Sequence, residues 1–179
     1  SGELIHHHIL QKDLLRSNAF LGNGLVDMYS KCGSLVNAKK VFDDLDVRDV
    51  VSWNSLISVH AQVGESEIVF HTFDRMVGEG KKPNLVTFLS VLNVCNHDGL
   101  VNKGHMYFEA MHKAYNLNPA LEHYTCMVDL FSRGRYFDKA IVLITSMPIH
   151  DYIPIWTVLL GACQQCGNLE LGNYAFEHA

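Results

Sequence analysis

The stretch WNSLISVHAQVG, Trp53–Gly64, decides how this chain is read, because the sequence repeats its pattern four more times. GNGLVDMYSKCG from Gly22, FLSVLNVCNHDG from Phe88, YTCMVDLFSRGR from Tyr124 and WTVLLGACQQCG from Trp156 align with it without a gap. Successive starts are separated by 31, 35, 36 and 32 residues. Self-similarity at such a period marks a repeat architecture, in which each unit is one supersecondary element too small to bury its own apolar face. Three and four places into the copies stand Leu25-Val26, Leu56-Ile57, Val91-Leu92, Met127-Val128 and Leu159-Leu160, one apolar ridge repeated in register.

The register continues beyond the quoted stretches. Phe42, Phe73, Phe108, Ile144 and Phe176 share one later column, and Leu45, Met76, Met111 and Met147 follow three residues on. Small residues Ala38, Gly104, Ala140 and Gly172, with Val69 as the exception, precede that column by four. Spacings of three and four place side chains on one helical face. Each unit therefore reads as helix, short turn, helix, with the small residue where the two backbones approach. Gly33, Gly64, Gly99 and Gly167 end the first helices, where a left-handed cap favours a residue without Cβ. The fourth unit has Arg135 in that column and Gly134 one place early, which predicts a shifted turn. Pro83 and Pro119 stand just before new units, where proline separates helices.

The units are 19–49, 50–84, 85–120, 121–152 and an incomplete 153–179. Residues 1–18 fit the second helix of a unit without its first, with Gly2 in the small column and His6 in the aromatic one. Both ends thus read as cut, and SGELIHHH as the start of an excised piece. The expected fold is all-α, a right-handed α-solenoid of stacked helix-turn-helix repeats with a groove lined by the first helices.

Composition agrees. Apolar residues make up 48% of the 179-residue chain, ample for a folded core, and no apolar run approaches a membrane span. Five cysteines are too few and odd in number for a disulfide framework. A net charge of −5 argues against a broad polybasic surface, so any nucleic-acid contact is local.

These repeats resemble the pentatricopeptide repeat family, and specifically its plant organellar subfamily with repeats of unequal length. GNGLVDMYSKCGSLVNAKKVFDDL is similar to the short type, VSWNSLISVHAQVG with FDRMVGEGKKPN to the standard type, and VTFLSVLNVCNHDGLVNKGHMYFEAM to the long type. HYTCMVDLFSRG followed by LITSMP resembles the closing short repeat, and WTVLLGACQQCGNLELG a truncated extension repeat. By the same resemblance, residues 1–18 are the second helix of a truncated long repeat. A tetratricopeptide array is disfavoured, since its uniform period and its W-x2-L-G-x2-Y pattern are absent.

The resemblance implies binding of single-stranded organellar RNA, one base per repeat. It assigns base specification to the fifth and last residues of a repeat, and places the second residue beside the base. Asn23 and Asp49 are then the specifying pair of the short repeat, with Phe20 beside the base, and Asn54 and Asn84 that of the standard repeat, with Val51. Val86 is the second residue of the long repeat. By family analogy the two pairs read 5′-U-Y-3′. An Asn amide offers both donor and acceptor to a base edge. The long repeat has Leu89 and Ala120 at the specifying places, which suit a protein partner better than a base. Thr125 and Tyr152 hold the places in the fourth repeat. Thr125 is a specifying residue, but Tyr152 departs from the family pattern, so no base is assigned.

The resemblance further implies the specificity module of a cytidine-to-uridine editing factor, in a mitochondrion or chloroplast with the mitochondrion favoured. The alternative is a helical scaffold that recruits an editing cofactor protein. A zinc deaminase needs H-x-E and P-C-x-x-C, and neither occurs in this sequence. The deaminase is then a downstream domain or a separate protein. No catalytic constellation, metal site or cofactor is expected, and the chain itself is not expected to be an enzyme. His6, His7 and His8 read as surface and packing residues, and Asp43–Asp49 as a solvated helix end apart from Asp49. Cys163 and Cys166 share columns with Cys95 and Cys32, so their C-x-x-C spacing reads as a register mark.

Overall fold

The computed structural model describes residues 19–148 and 152–178. The reading of 1–18 as a second helix, with Gly2 and the three histidines, lies outside the described residues. Among the described residues there are ten helices and no strand. They pair as α1 (Ala19–Lys31) with α2 (Leu35–Asp43), α3 (Val50–Gln62) with α4 (Ser66–Gly78), and α5 (Leu85–His97) with α6 (Val101–Lys113). α7 (Leu121–Arg133) with α8 (Phe137–Thr145) and α9 (Ile153–Cys166) with α10 (Leu169–Glu177) complete the series.

The chain divides into two compact units, Ser1–Ser90 and Val91–Ala179, with α5 passing from the first to the second. In the first, α1 packs against α2 and α3, and α3 against α4. In the second, α7 packs against α6, α8 and α9, and α9 against α10. The apolar ridge of the first helices is buried from Leu25-Val26 to Leu159. Each of the first three repeats is held to the next by an edge-on aromatic pair between the second-helix column and the fourth residue of the following repeat. Phe42 meets Trp53 at 4.8 Å and Phe73 meets Phe88 at 5.5 Å in the first unit, and Phe108 meets Tyr124 at 5.4 Å in the second. Edge-to-face geometry at these separations is the favoured aromatic arrangement. Phe176 belongs to the same column but lies on the last described helix, and it is 72% exposed.

The small column permits close approach. A Cβ on Gly104 would lie 2.5 Å from Leu130 Cδ2 and 3.3 Å from Cys95 Cβ.

At the end of each first helix a left-handed residue closes the helix, and the residue after it donates its N–H to a carbonyl five residues back. Ser34 donates to Tyr29 O at 2.8 Å, and Leu100 to Cys95 O at 2.8 Å. Gly33, Gly64, Gly99 and Gly167 supply positive φ at this step. The shifted turn expected in the fourth unit is not found. Arg135 itself takes φ 65°, and Tyr136 N–H bonds Phe131 O at 2.8 Å, so the closing bond is kept in place. Gly134 remains right-handed with φ −75°. Its lack of a side chain serves packing instead, since a Cβ there would meet Val101 Cγ2 at 2.9 Å.

A side chain in the left-handed region costs about 1–2 kcal/mol, and the extra freedom of unfolded glycine returns about half of that. Arg135→Gly is therefore expected to stabilise the chain by up to about 1 kcal/mol. A denaturant titration showing no gain would contradict this.

Candidate nucleic-acid interface

The fifth residue of a repeat lies one turn into its first helix, and the last residue is the N-cap of the next repeat's first helix. Because first helices of consecutive repeats pack side by side, these two places meet. Asn23 on α1 donates from Nδ2 to Asp49 Oδ1 at 3.1 Å, with Oδ2 at 3.4 Å. Asn54 on α3 donates from Nδ2 to Asn84 Oδ1 at 3.1 Å. The structure thus brings the two Asn-bearing pairs into contact, in the same manner.

Both last residues cap a helix. Asp49 accepts from Ser52 N–H at 2.9 Å, and Ser52 Oγ receives the Asp49 N–H at 3.2 Å, a reciprocal capping box that starts α3. Asn84 and Thr87 repeat it at the start of α5, with Thr87 N–H to Asn84 Oδ1 at 3.1 Å and Asn84 N–H to Thr87 Oγ1 at 3.0 Å. The same hydroxyls reach back to the two Asn amides. Ser52 Oγ donates to Asn23 Oδ1 at 2.6 Å, and Thr87 Oγ1 to Asn54 Oδ1 at 2.5 Å. Sequence reasoning missed Ser52 and Thr87. Their signal was a hydroxyl at the third place of the two units that follow an Asn-bearing unit.

Apolar side chains flank the amides. Phe20, Val51 and Val86 are 83%, 56% and 54% exposed. Val51 and Val86 line one open hollow of about 350 Å³ together with Asn54, Asn84, Ser58 and Gln62. A polar pair between two exposed apolar side chains can hydrogen-bond the edge of a planar group while the side chains cover its faces.

Partial burial pushes the Asp49 carboxyl up, but it is outweighed by hydrogen bonds from Ser52 N–H, the Asn23 amide, the Ser52 hydroxyl and Val51 N–H. Together they hold it below the usual carboxylate range. A carboxylate depressed on folding adds stability that is present above its unfolded pKa, about 3.9, and lost as pH falls through the folded value. The stability advantage of the parent chain over Asp49→Asn should therefore shrink on acidification from about pH 5 to pH 3. Parallel pH profiles for the two chains in urea titrations would rule this out.

The remaining predicted places differ. Thr125 Oγ1 donates to Leu121 O at 2.9 Å within its own helix. Among the described residues no hydrogen bond joins it to Tyr152, the half-buried N-cap of α9. Leu89 and Ala120 are half-buried, and Ala120 N–H bonds His123 Nδ1 at 3.2 Å, so a histidine stands where Ser52 and Thr87 stand elsewhere.

No group of three potential metal ligands occurs among the described residues. Burial pushes the Cys95 and Cys126 thiols up to about 12 and raises Cys163 too, which disfavours the thiolate that reactivity and metal binding require. No helix among the described residues is long and apolar enough to cross a membrane.

A model of the PPR repeat family matches residues 48–97, and a PPR repeat model matches 23–50, 86–115 and 122–151. A chloroplastic pentatricopeptide repeat-containing protein of Arabidopsis thaliana is 40% identical over 174 residues, 97% of this chain and 20% of its own length. A mitochondrial one from the same plant is 41% identical over 97% of this chain and 27% of its own length. The chloroplastic protein CRR2, also from Arabidopsis thaliana, is 41% identical over 97% of this chain and 26% of its own. This chain thus spans about a fifth to a quarter of these relatives. Among solved structures, the pentatricopeptide repeat protein PPR10 from maize superposes with a TM-score of 0.72 at 21% identity, over 87% of this chain and 23% of that one. PPR10 in complex with an 18-nt psaJ RNA element gives 0.68 at 20% identity, over 90% and 26%. That likeness shows the fold, an all-α solenoid of helical hairpins. Repeat register, helical pairing and matched models together place the chain in one family: it belongs to the pentatricopeptide repeat proteins.

Proposed function

We propose that this chain binds single-stranded RNA in a sequence-specific manner, one base per repeat, with Asn23/Asp49 and Asn54/Asn84 as the two readers. The observation that carries this reading is the recurrence of one constellation in consecutive repeats: an Asn amide tied to a capping Asp or Asn, set between exposed apolar side chains. Phe20 and Val51 flank the first base, Val51 and Val86 the second. The solved relative named as a complex with RNA is consistent with it. Thr125 carries no base in this scheme, and Leu89 with Ala120 forms a gap in the readout.

The repeat boundaries at 19, 50, 85, 121 and 153 belong to the same proposal, as does membership of the plant organellar subfamily with short, standard and long repeats. The unequal repeat lengths support that membership. So do relatives named as chloroplastic and mitochondrial, which also favour an organellar location. Within this reading the chain is the specificity module of a cytidine-to-uridine editing factor, and a zinc deaminase elsewhere in a longer chain or in a separate protein performs the reaction.

The test is selection from a randomised pool of single-stranded RNA. The parent should enrich uridine followed by a pyrimidine, and Asp49→Asn, which makes the first pair a copy of the second, should relax the uridine to either pyrimidine. Enrichment of purines at both places, or none at all, overturns the reading.

A further inference from the structure

We propose that Ser52 and Thr87 are positioning residues for base reading, their hydroxyls fixing the orientation in which Asn23 and Asn54 present their amides to RNA. The inference rests on the RNA-reading function above. A half-turn of an Asn side chain exchanges its donor and acceptor, and so inverts the pattern offered to a base edge. In the first pair the Asp49 carboxylate only accepts, so it draws Asn23 Nδ2, and the other end of the amide is held by Ser52. Oδ1 then faces Ser52, whose hydroxyl has Asn23 Oδ1 at 2.6 Å and Asp49 Oδ1 at 3.0 Å and gives its single proton to the nearer, Asn23.

In the second pair the partner is itself an amide and could turn, yet the geometry leaves one solution. Thr87 N–H cannot be reversed, and it requires an acceptor, which fixes Asn84 Oδ1. Asn84 Oδ1 then draws Asn54 Nδ2, and Asn54 Oδ1 takes the Thr87 hydroxyl proton, being nearer at 2.5 Å than Asn84 Oδ1 at 3.1 Å. One residue thus sets the polarity of the reader from both sides, through its N–H and its hydroxyl. Ser52 and Thr87 are fully buried and Asn54 is 8% exposed, so water does not readily replace a missing hydroxyl. With these bonds made, each reader keeps one N–H and one lone pair, an adjacent donor and acceptor of fixed order.

The sequence carries independent support. The third residues of the five units are Leu21, Ser52, Thr87, His123 and Ile155. A hydroxyl stands only in the two units whose predecessor has Asn at the fifth place, whereas His123 and Ile155 follow Leu89 and Thr125. Helix capping alone does not require that association, because His123 receives the Ala120 N–H without a hydroxyl.

The experiment measures dissociation constants of the parent, Ser52→Ala, Ser52→Thr, Thr87→Val, Thr87→Ser and Asn54→Ala chains. The probes are single-stranded RNAs that differ only by U, C, A or G at each of the two read positions, and melting temperatures are taken alongside. Thr87→Val should lower the pyrimidine-over-purine ratio at the second position by about two- to tenfold and leave the first unchanged. Ser52→Ala should do the reverse, and Ser52→Thr and Thr87→Ser should keep the parental ratios. Equal weakening of all four bases, or a lower melting temperature with unchanged ratios, reduces the hydroxyls to helix caps and overturns the proposal. An Asn54→Ala chain with parental base ratios overturns the RNA-reading function instead, and the positioning role with it.

Discussion

Replacing Asn23 and Asn54 together by alanine is expected to remove most sequence-specific RNA binding. Each contact to a base edge is worth about 1–3 kcal/mol of discrimination, so two lost contacts weaken binding to a uridine-pyrimidine RNA by roughly 30-fold or more. The chain should remain folded, because the Asp49 carboxylate and the Asn84 amide oxygen keep their bonds from Ser52 N–H and Thr87 N–H, and the starts of α3 and α5 are retained. Fluorescence anisotropy with labelled RNA, read beside circular dichroism, checks both statements. Parental affinity in a folded double variant would show that these amides do not read bases.

The largest stability effect is expected at Trp53. Its ring is fully buried, edge-on to Phe42 and covered by the Arg75 guanidinium 5.3 Å from its centroid. Trp53→Ala should cost about 3–5 kcal/mol, the range for a large aromatic removed from a packed core. The indole N–H has no hydrogen-bond partner among the described residues, and an unmet buried donor costs about 1–3 kcal/mol. Trp53→Phe removes that donor along with some volume. It should therefore cost far less than Trp53→Ala, with phenylalanine already serving in the same column at Phe88. Chemical denaturation of both variants decides it, and equal losses would show that the indole finds a partner in solution.

The helical hairpins were legible because their determinants are local and repeated. A ridge such as Leu56-Ile57 and a cap such as Gly64 recur in register, and each copy confirms the others. What escaped the sequence was non-local or depended on competition between neighbours. Gly134 and Arg135 both stand near a helix end, and glycine is the usual left-handed residue. Only the packing of Val101 against Gly134 shows why the glycine is used for space while Arg135 bears the positive φ. The Asn23/Asp49 and Asn54/Asn84 contacts followed from repeat places read by family resemblance. Ser52 and Thr87 did not, since a hydroxyl three residues after an Asp or Asn reads as one half of a capping box. That it also touches a residue about thirty positions upstream requires the packing of two first helices.

Under the proposed RNA reading, the doubling of cap and reader at Asp49 and Asn84 bears on how such a chain changes its target over evolutionary time. A side chain that must start a helix is drawn from a short alphabet, chiefly Asp, Asn, Ser and Thr. Drift within that alphabet alters the base preferred while the next repeat keeps its start. Drift outside it erases a letter of the message and loosens the helix that follows in the same step. On that reading retargeting is channelled along substitutions the scaffold tolerates; Ala120, at the same place before α7, makes no side-chain cap bond.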